Sequence, residues 1–306
     1  MPLHINTPLL ESPILSRHCG RQVWLKMDAL QPPGSFKIRG VGHACEYHYR
    51  QGARRFVSSS GGNAGLAVAY AGRRLGAAVT VVVPESTTER AKSLLQLEQA
   101  ELIVHGDSWQ EANQHALSLV GASDAFIHPF DDPLLWAGHA SLVDEVYDAG
   151  LKPDAVVLCV GGGGLLAGVA EGLLRQDAAA VPILTVETEG AASLHQSILA
   201  GEQITLPAIT SVASSLGAKR ICDQAWALTS SRRIISTTVS DRAALEACER
   251  FVDDHRVLVE PACGASLALV YQQAPELAGF EKLLVIACGG ATMTMAQMRS
   301  WMGEPA

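Results

Sequence analysis

The chain has 306 residues, 48% hydrophobic and 18% charged, with 23 basic against 31 acidic side chains and a net charge of −8. That length suits two modest lobes or one large α/β domain with ample material for a core. The acidic balance, with basic residues scattered rather than clustered, argues against nucleic-acid binding and against electrostatic docking on an anionic membrane.

Residues 1–8 have neither a basic region nor an apolar core, so they do not read as a signal peptide. A short extended piece around Val23–Met27 is followed by the turn Gln31-Pro32-Pro33-Gly34. From Lys37 the pattern is helical to about Arg50, closing at Gly52. Phe56–Ser59 reads as a strand entering Ser60-Gly61-Gly62-Asn63, and Ala64–Leu75 as a helix ended by Gly76. Strand Val79–Val83, helix Thr87–Leu97 and strand Glu101–Val104 follow. Ser108 caps a helix from Trp109 to Val120. Phe126–His128 is predicted as a strand, and Pro133 opens a single helix through Tyr147.

The second half repeats this grammar. Strand Ala155–Val160 enters four glycines and a helix to Leu174. Strand Ile183–Glu187 precedes a helix from Ala191, and strand Ile234–Val239 a helix capped by Ser240. Pro261 opens another helix. Strand Leu283–Cys288 enters Gly289-Gly290 before a last helix near Met293. The uncharged runs 155–170 and 283–298 fall short of the ~20 residues of a spanning helix and carry central glycines, so no membrane segment is expected.

Alternating strands and helices predict an α/β fold of two lobes, each a mostly parallel sheet flanked by helices. The loop Pro129–Pro133 is the expected crossing between a small lobe, 35–134, and a large one formed by 1–34 and 135–306. Seven cysteines without a Cys-x-x-Cys pair predict free thiols in a reducing compartment, the cytoplasm. His43 and His48 lack the companions of a zinc site.

Three strand-to-helix turns carry glycines: Ser60–Gly65, Gly161–Gly164 and Gly289-Gly290. Ligands collect at such turns in open α/β sheets. Gly161–Gly164 offers consecutive N–H groups at a helix start, a cup for a phosphate. No Gly-x-Gly-x-x-Gly or Walker sequence can be completed there, which favours a phosphate monoester over a dinucleotide or ATP. Ser60–Asn63 is a second anion cup, suited to a carboxylate, although Asn63 alone is equally well an ordinary helix cap. By residue frequency Lys37 is a surface lysine. Flanked by Phe36 and Ile38 after a Pro-Gly break, it also suits a desolvated amine able to form a Schiff base. A reactive lysine, a phosphate cup and a carboxylate cup are together the parts of a pyridoxal-phosphate site for an amino acid.

Over nearly its whole length the chain resembles the fold-type-II pyridoxal-phosphate enzymes, and within them the liver-type L-serine/L-threonine dehydratases. The resemblance rests on Ser35-Phe36-Lys37-Ile38-Arg39-Gly40, Ser59–Gly65, Pro129–Leu134, Gly138–Ser141, Gly161–Gly164, Glu187-Thr188, Ile209–Ala213, Val259–Gly264 and Cys288–Gly290. It implies a tryptophan-synthase-β-like fold and a homodimer. It further implies that Lys37 holds the cofactor as a Schiff base, Phe36 packs on its ring, and Asn63 hydrogen-bonds the ring's 3′ oxygen. Gly161, Gly162, Gly163, Gly164 and Leu165 would hold the phosphate, and Ser215 would sit on the ring. Cys288 would face the pyridine nitrogen as a neutral thiol, leaving a weak electron sink that still suffices for β-elimination. Ser60, Gly61, Gly62, Asn63 and Ala64 would clasp the substrate carboxylate. A monovalent cation, potassium, would sit beside Glu187 with carbonyls of Gly161, Ala191, Leu216 and Ala218.

The implied reaction is loss of ammonia from L-serine or L-threonine, giving pyruvate or 2-oxobutanoate. Gly61 and Ser215 depart from the family's usual alanines, and Gly61 enlarges the space near the substrate. Serine racemisation and β-replacement are the competing reactions, and a non-catalytic ligand-binding homologue is the competing class.

Overall fold

A computed structural model describes residues 2–303. Strand β1 (Leu9–Glu11) and helix α1 (Pro13–Cys19) precede strand β2 (Gln22–Lys26). Neither β1 nor α1 is foreseen from sequence. Yet α1 carries local signals: Ser12 accepts from the Leu15 amide, Pro13 occupies the first turn, and Gly20 closes the helix in the left-handed region.

Helix α2 (Lys37–Arg50) leads into β3 (Arg55–Ser58), α3 (Asn63–Leu75), β4 (Ala78–Val83), α4 (Glu89–Leu97), β5 (Glu101–Val104), α5 (Trp109–Ser118) and β6 (Asp124–Phe126). These four strands form one parallel sheet in the order β5-β4-β3-β6. β6 begins two residues before the predicted strand, because Asp124 pairs with Arg55 in register and in charge. The single helix predicted over 133–147 is two, α6 (Pro133–His139) and α7 (Ser141–Asp148). The Ser141 hydroxyl donates to the Gly138 carbonyl at 2.8 Å, drawing that carbonyl out of the helical ladder.

The remaining elements are β7 (Ala155–Cys159), α8 (Gly164–Arg175), β8 (Ile183–Thr188), α9 (Ser193–Ala200), α10 (Asp223–Ser231), β9 (Ile234–Val239), α11 (Asp241–His255), α12 (Pro261–Tyr271), β10 (Lys282–Ile286) and α13 (Met295–Met302). The second sheet runs β1-β2-β10-β7-β8-β9, parallel except for the β1–β2 pair. Its central strands β7 and β10 are near-continuous runs of buried aliphatic residues, and β8 is buried at every position, as strands covered on both faces require. Helix α12 is buried at all 11 positions and apolar around its circumference, a core helix between α11 and the sheet. No described helix is long and apolar enough to cross a membrane.

A buried ionic cluster ties the two sheets' territories together behind α2. Arg39, with no exposed surface, donates to Asp28 at 2.6 and 2.9 Å and to both Glu145 oxygens at 2.7 Å. Lys26 meets the same carboxylate at 2.5 Å. Removing one member would leave an unpaired buried charge, at a cost of about 3–5 kcal/mol. Arg39 stands two residues beyond Lys37, so the cluster fixes the helix that presents the lysine.

Candidate active site

The turn before α2 is fastened to the end of β10. Gly34, in the left-handed region at φ +81°, closes the Pro-Pro-Gly turn. A Cβ there would stand 2.8 Å from that of Ala291, so no other residue fits. Ser35 bridges to Gly289, the Phe36 amide donates to the Cys288 carbonyl at 2.9 Å, and the Gly290 amide returns to the Gly34 carbonyl at 3.1 Å. Lys37 is thereby held at the carboxyl end of a central strand.

Its ammonium donates to the Pro129 carbonyl at 2.6 Å and lies 5.3 Å from the Phe36 ring centroid. Phe36 in turn packs against the buried His139 ring at 4.9 Å. Burial pulls the Lys37 pKa down to about 8, and the nearby Cys159, Cys288 and Glu260 offset only part of the effect.

The lysine opens into a cavity of about 490 Å³. Every residue expected to touch cofactor or substrate lines it: Phe36 and Lys37, Ser60–Ala64, Gly161–Leu165, Ser215 and Cys288. Of the residues expected around a cation, Gly161 and Leu216 line the cavity, whereas Glu187, Ala191 and Ala218 stand outside its wall.

Gly161–Gly164 carries the chain from β7 into α8. Added Cβ atoms would meet the Ser215 carbonyl at 2.9 Å from Gly161, the Phe130 ring at 2.2 Å from Gly162, Ala225 at 2.4 Å from Gly163, and the Phe130 carbonyl at 2.7 Å from Gly164. The turn is therefore packed solid on its far side. Among the described residues, the amides from Gly161 to Leu165 find no acceptor. Unsatisfied N–H groups at a helix start in a cavity wall require an anion or water.

The turn Ser60–Ala64 joins β3 to α3. Gly62 caps α3, and Asn63 is its first residue rather than the cap. The amides of Gly61, Asn63 and Ala64 also lack acceptors among the described residues. A Cβ at Gly65 would lie 1.7 Å from the Ser60 carbonyl, which makes this glycine obligatory.

Near Lys37 the Cys288 thiol lies 3.6 Å from that of Cys159. Hydrogen bonds to Cys159 and Cys263, together with burial, hold it well above the usual thiol range, hence neutral. Glu187 is fully buried and accepts from the Leu194 and His195 amides at 3.0 and 2.7 Å. Burial nevertheless pushes its pKa up to about 8.

Sequence reasoning left several wall residues unassigned. Glu260, which precedes Pro261 and looks like a helix cap, makes no capping bond and instead accepts from Asn63 Nδ2 at 2.7 Å. A lone acid in the apolar run Val259–Gly264 was the available signal. Phe130, Cys159, Thr87, Trp109 and the C-terminal residues Thr292, Met293, Gln297 and Trp301 also line the cavity, and only tertiary structure brings them there.

These groups fit a phosphate-bearing aromatic cofactor. The glycine amides supply an anion cradle, the buried Asn63 Oδ1 has no partner, and a neutral thiol lines the same cavity.

Comparison with known proteins agrees with the geometry. The human L-serine dehydratase/L-threonine deaminase is 46% identical over 310 residues, covering 98% of this chain and 94% of the relative. A mouse serine dehydratase-like protein is 46% identical over 309 residues, covering 97% and 94%. The crystal structure of a fungal L-serine ammonia-lyase from Rhizomucor miehei superposes with a TM-score of 0.93 at 34% identity over 99% of both chains. Residues 1–289 match the family described as pyridoxal-phosphate dependent enzyme, and the chain therefore belongs to that family, with the fold-type-II architecture.

Proposed function

We propose that the protein is a pyridoxal-phosphate-dependent ammonia-lyase that converts L-serine to pyruvate and L-threonine to 2-oxobutanoate, releasing ammonia. The observation that carries this reading is the position of Lys37: a partly desolvated amine in one cavity with two sets of unsatisfied backbone amides. In this reading Gly161–Leu165 hold the cofactor phosphate, Phe36 and Ser215 flank its ring, and Lys37 holds it as a Schiff base. When bound, the cofactor supplies an electron sink for the carbanion left by removal of the α-proton.

The chain's own residues do the rest. Ser60–Ala64 fix the substrate carboxylate and so fix the α-carbon. The Lys37 amine, freed when the substrate's amino group takes its place on the cofactor and unprotonated above about pH 8 in this environment, would take the α-proton. The neutral Cys288 thiol would leave a ring nitrogen held near it without a charged partner, a weak electron sink that suffices for loss of a β-hydroxyl. For the cation, Glu187 supplies a buried side chain whose contacts are neutral amides, and Gly161 packs against Leu216. Potassium is assigned to that corner. The buried free cysteines are in keeping with the cytoplasm, and a homodimer is the assembly assigned from the family resemblance.

The test is the visible spectrum of the purified protein after incubation with pyridoxal phosphate, for wild type and Lys37→Ala, followed by L-serine and a keto-acid assay. Schiff-base absorption in the wild type alone, with pyruvate formed, is expected. Absence of that absorption from the wild type would sink the reading.

A further inference from the structure

The segment that crosses between the two sheets touches the lysine and the phosphate cup at once, and one side chain organises it. Nδ1 of His128 accepts two successive backbone amides, that of Phe130 at 3.2 Å and that of Asp131 at 2.7 Å. A trans peptide group is planar, so its N–H and its C=O point in opposite directions. The Phe130 N–H shares its plane with the Pro129 carbonyl, which receives the Lys37 ammonium at 2.6 Å. The Asp131 N–H shares its plane with the Phe130 carbonyl. That carbonyl receives Trp136 Nε1 at 2.9 Å and stands 2.7 Å from where a Cβ on Gly164 would be.

We propose that His128 is a positioning residue. Through one ring nitrogen it sets two consecutive peptide planes, aiming the Pro129 carbonyl at the Lys37 amine and locking Phe130 behind the glycine cup. The proposal rests on the functional reading above in taking Gly161–Leu165 as the seat of a phosphate.

Three features support it. First, the role fixes the state of the ring. An acceptor at Nδ1 leaves the proton on Nε2, and an imidazolium would set a third N–H against the two amides. Burial and the Lys37 charge pull the His128 pKa down to about 4, with Asp132 offsetting part of this, so the ring stays neutral at ordinary pH. Second, the Pro129 carbonyl is the hydrogen-bond acceptor of Lys37 among the described residues. The titratable groups facing that amine are Cys159 on β7, Cys288 after β10, Glu260 ahead of α12, His139 on α6 and His128 itself. Third, the Phe130 ring packs edge-on to His128 at 4.7 Å and lies 2.2 Å from where a Cβ on Gly162 would be. Moving this loop therefore removes the backing of the cup together with the partner of the lysine.

The test compares full-length wild type with His128→Asn, His128→Gln and His128→Leu. The asparagine side-chain oxygen can stand where Nδ1 stands and accept from amides two and three residues on, as in an Asx-turn. The glutamine oxygen lies one carbon farther out, and leucine keeps bulk without an acceptor. The titration of Lys37 is measured on cofactor-free protein by competitive labelling with acetic anhydride from pH 6 to pH 11, read at Lys37 by peptide mass spectrometry. Dissociation constants for inorganic phosphate and for pyridoxal 5′-phosphate complete the set. His128→Asn is expected to titrate as wild type does and to bind both ligands within about threefold. His128→Leu and His128→Gln are expected to titrate about one pH unit lower, because the charged amine loses a hydrogen bond, and to bind both ligands about tenfold or more weakly. A ring that merely fills space predicts otherwise: a loosened loop would admit water and let the lysine titrate higher, towards its ordinary range. The proposal is overturned if Lys37 titrates at or above the wild-type value in His128→Leu and His128→Gln, if phosphate binding is unchanged in them, or if His128→Asn is impaired as they are. Where His128→Leu does not fold, His128→Gln carries the comparison. A wild type that binds phosphate and shows the lowered lysine titration, yet forms no Schiff base with pyridoxal phosphate, removes the functional reading and leaves the role of His128 standing.

Discussion

The two glycine turns that face each other across the cavity have the same local grammar, strand, glycines, helix, yet opposite surroundings. Behind Gly161–Gly164 there is no space: each glycine has protein atoms within 2.2–2.9 Å of where a Cβ would stand. At Ser60–Ala64 the crowding is one-sided. Gly61 meets only the side chains of Thr87 and Val83, at 2.8–3.2 Å, and Gly62 has nothing within 4 Å. The first turn is glycine because backbone and ring must touch it, and the second because its inner face must stay open. A cofactor held by its phosphate calls for a rigid cradle, whereas substrates that differ by a methyl group call for yielding walls.

Substitutions test that contrast in descending order of effect. Gly162→Ala drives a methyl into the Phe130 ring, and Gly163→Ala adds strain at φ +92°. Either should weaken cofactor binding by about 100-fold or more and lower thermal stability, since overpacking costs about 1–3 kcal/mol and displaces the amides as well. Equilibrium titration with pyridoxal phosphate decides; near-normal affinity would mean the cradle is not rigid.

Lys37 sits between the turns, and its environment makes a second prediction. The folded chain releases the lysine proton near pH 8 and the unfolded chain near the ordinary 10.5. Folded protein without cofactor therefore carries a penalty that is complete below about pH 8 and disappears as pH rises past 10.5. Discounted for the surface Lys37 shows to the cavity, the penalty is about 2–3 kcal/mol. Lys37→Met without cofactor should melt higher than wild type without cofactor at pH 7, and the gap should close in alkali. A gap that persists at pH 10.5 would mean that packing, not charge, sets it.

Gly61→Ala comes third. Its methyl meets Thr87 Cγ2 at 2.8 Å and Oγ1 at 3.2 Å, both at the end of a side chain. The ratio of kcat/KM for L-threonine to that for L-serine should change by about five- to tenfold, the scale of one methylene in a pocket. Thr87→Ala in the same chain should restore it, and a double-mutant cycle without coupling would refute the contact. Gly62→Ala is the smallest, within about twofold on every constant, because φ −101° and ψ −150° suit any residue and the space is empty. A large loss there would place bound substrate against Gly62 Cα.

What the sequence disclosed of this site follows the range of the interactions involved. Both cups were legible because a strand, a glycine turn and a helix lie within about a dozen consecutive residues. The break at Ala140 was not, because it depends on which carbonyl Ser141 chooses. α1 was missed although Ser12, Pro13 and Gly20 mark its ends, because it is only 7 residues long and its apolar pattern is brief. Glu260 could be read only as a cap, since its partner Asn63 is 197 positions away. The Cys159–Cys288 contact spans 129 positions and joins two strands that no local pattern pairs. Lys37 itself was ambiguous from its neighbours. The clasp to Cys288 and Gly289 buries it, and that clasp joins two ends of the chain.

β10 lies in the middle of its sheet, between β2 and β7, although it is the last of the described strands in chain order. Until it arrives, β2 and β7 each present a bare edge towards an empty slot, and the loop bearing Lys37 has nothing to fasten to. Docking of β10 is therefore the step that both closes the sheet and places the lysine. A chain that lacked β10 would carry both anion cups and still hold its reactive amine unplaced. Without β10 the sheet would expose two unpaired inner edges, the kind of surface that invites misassociation during folding.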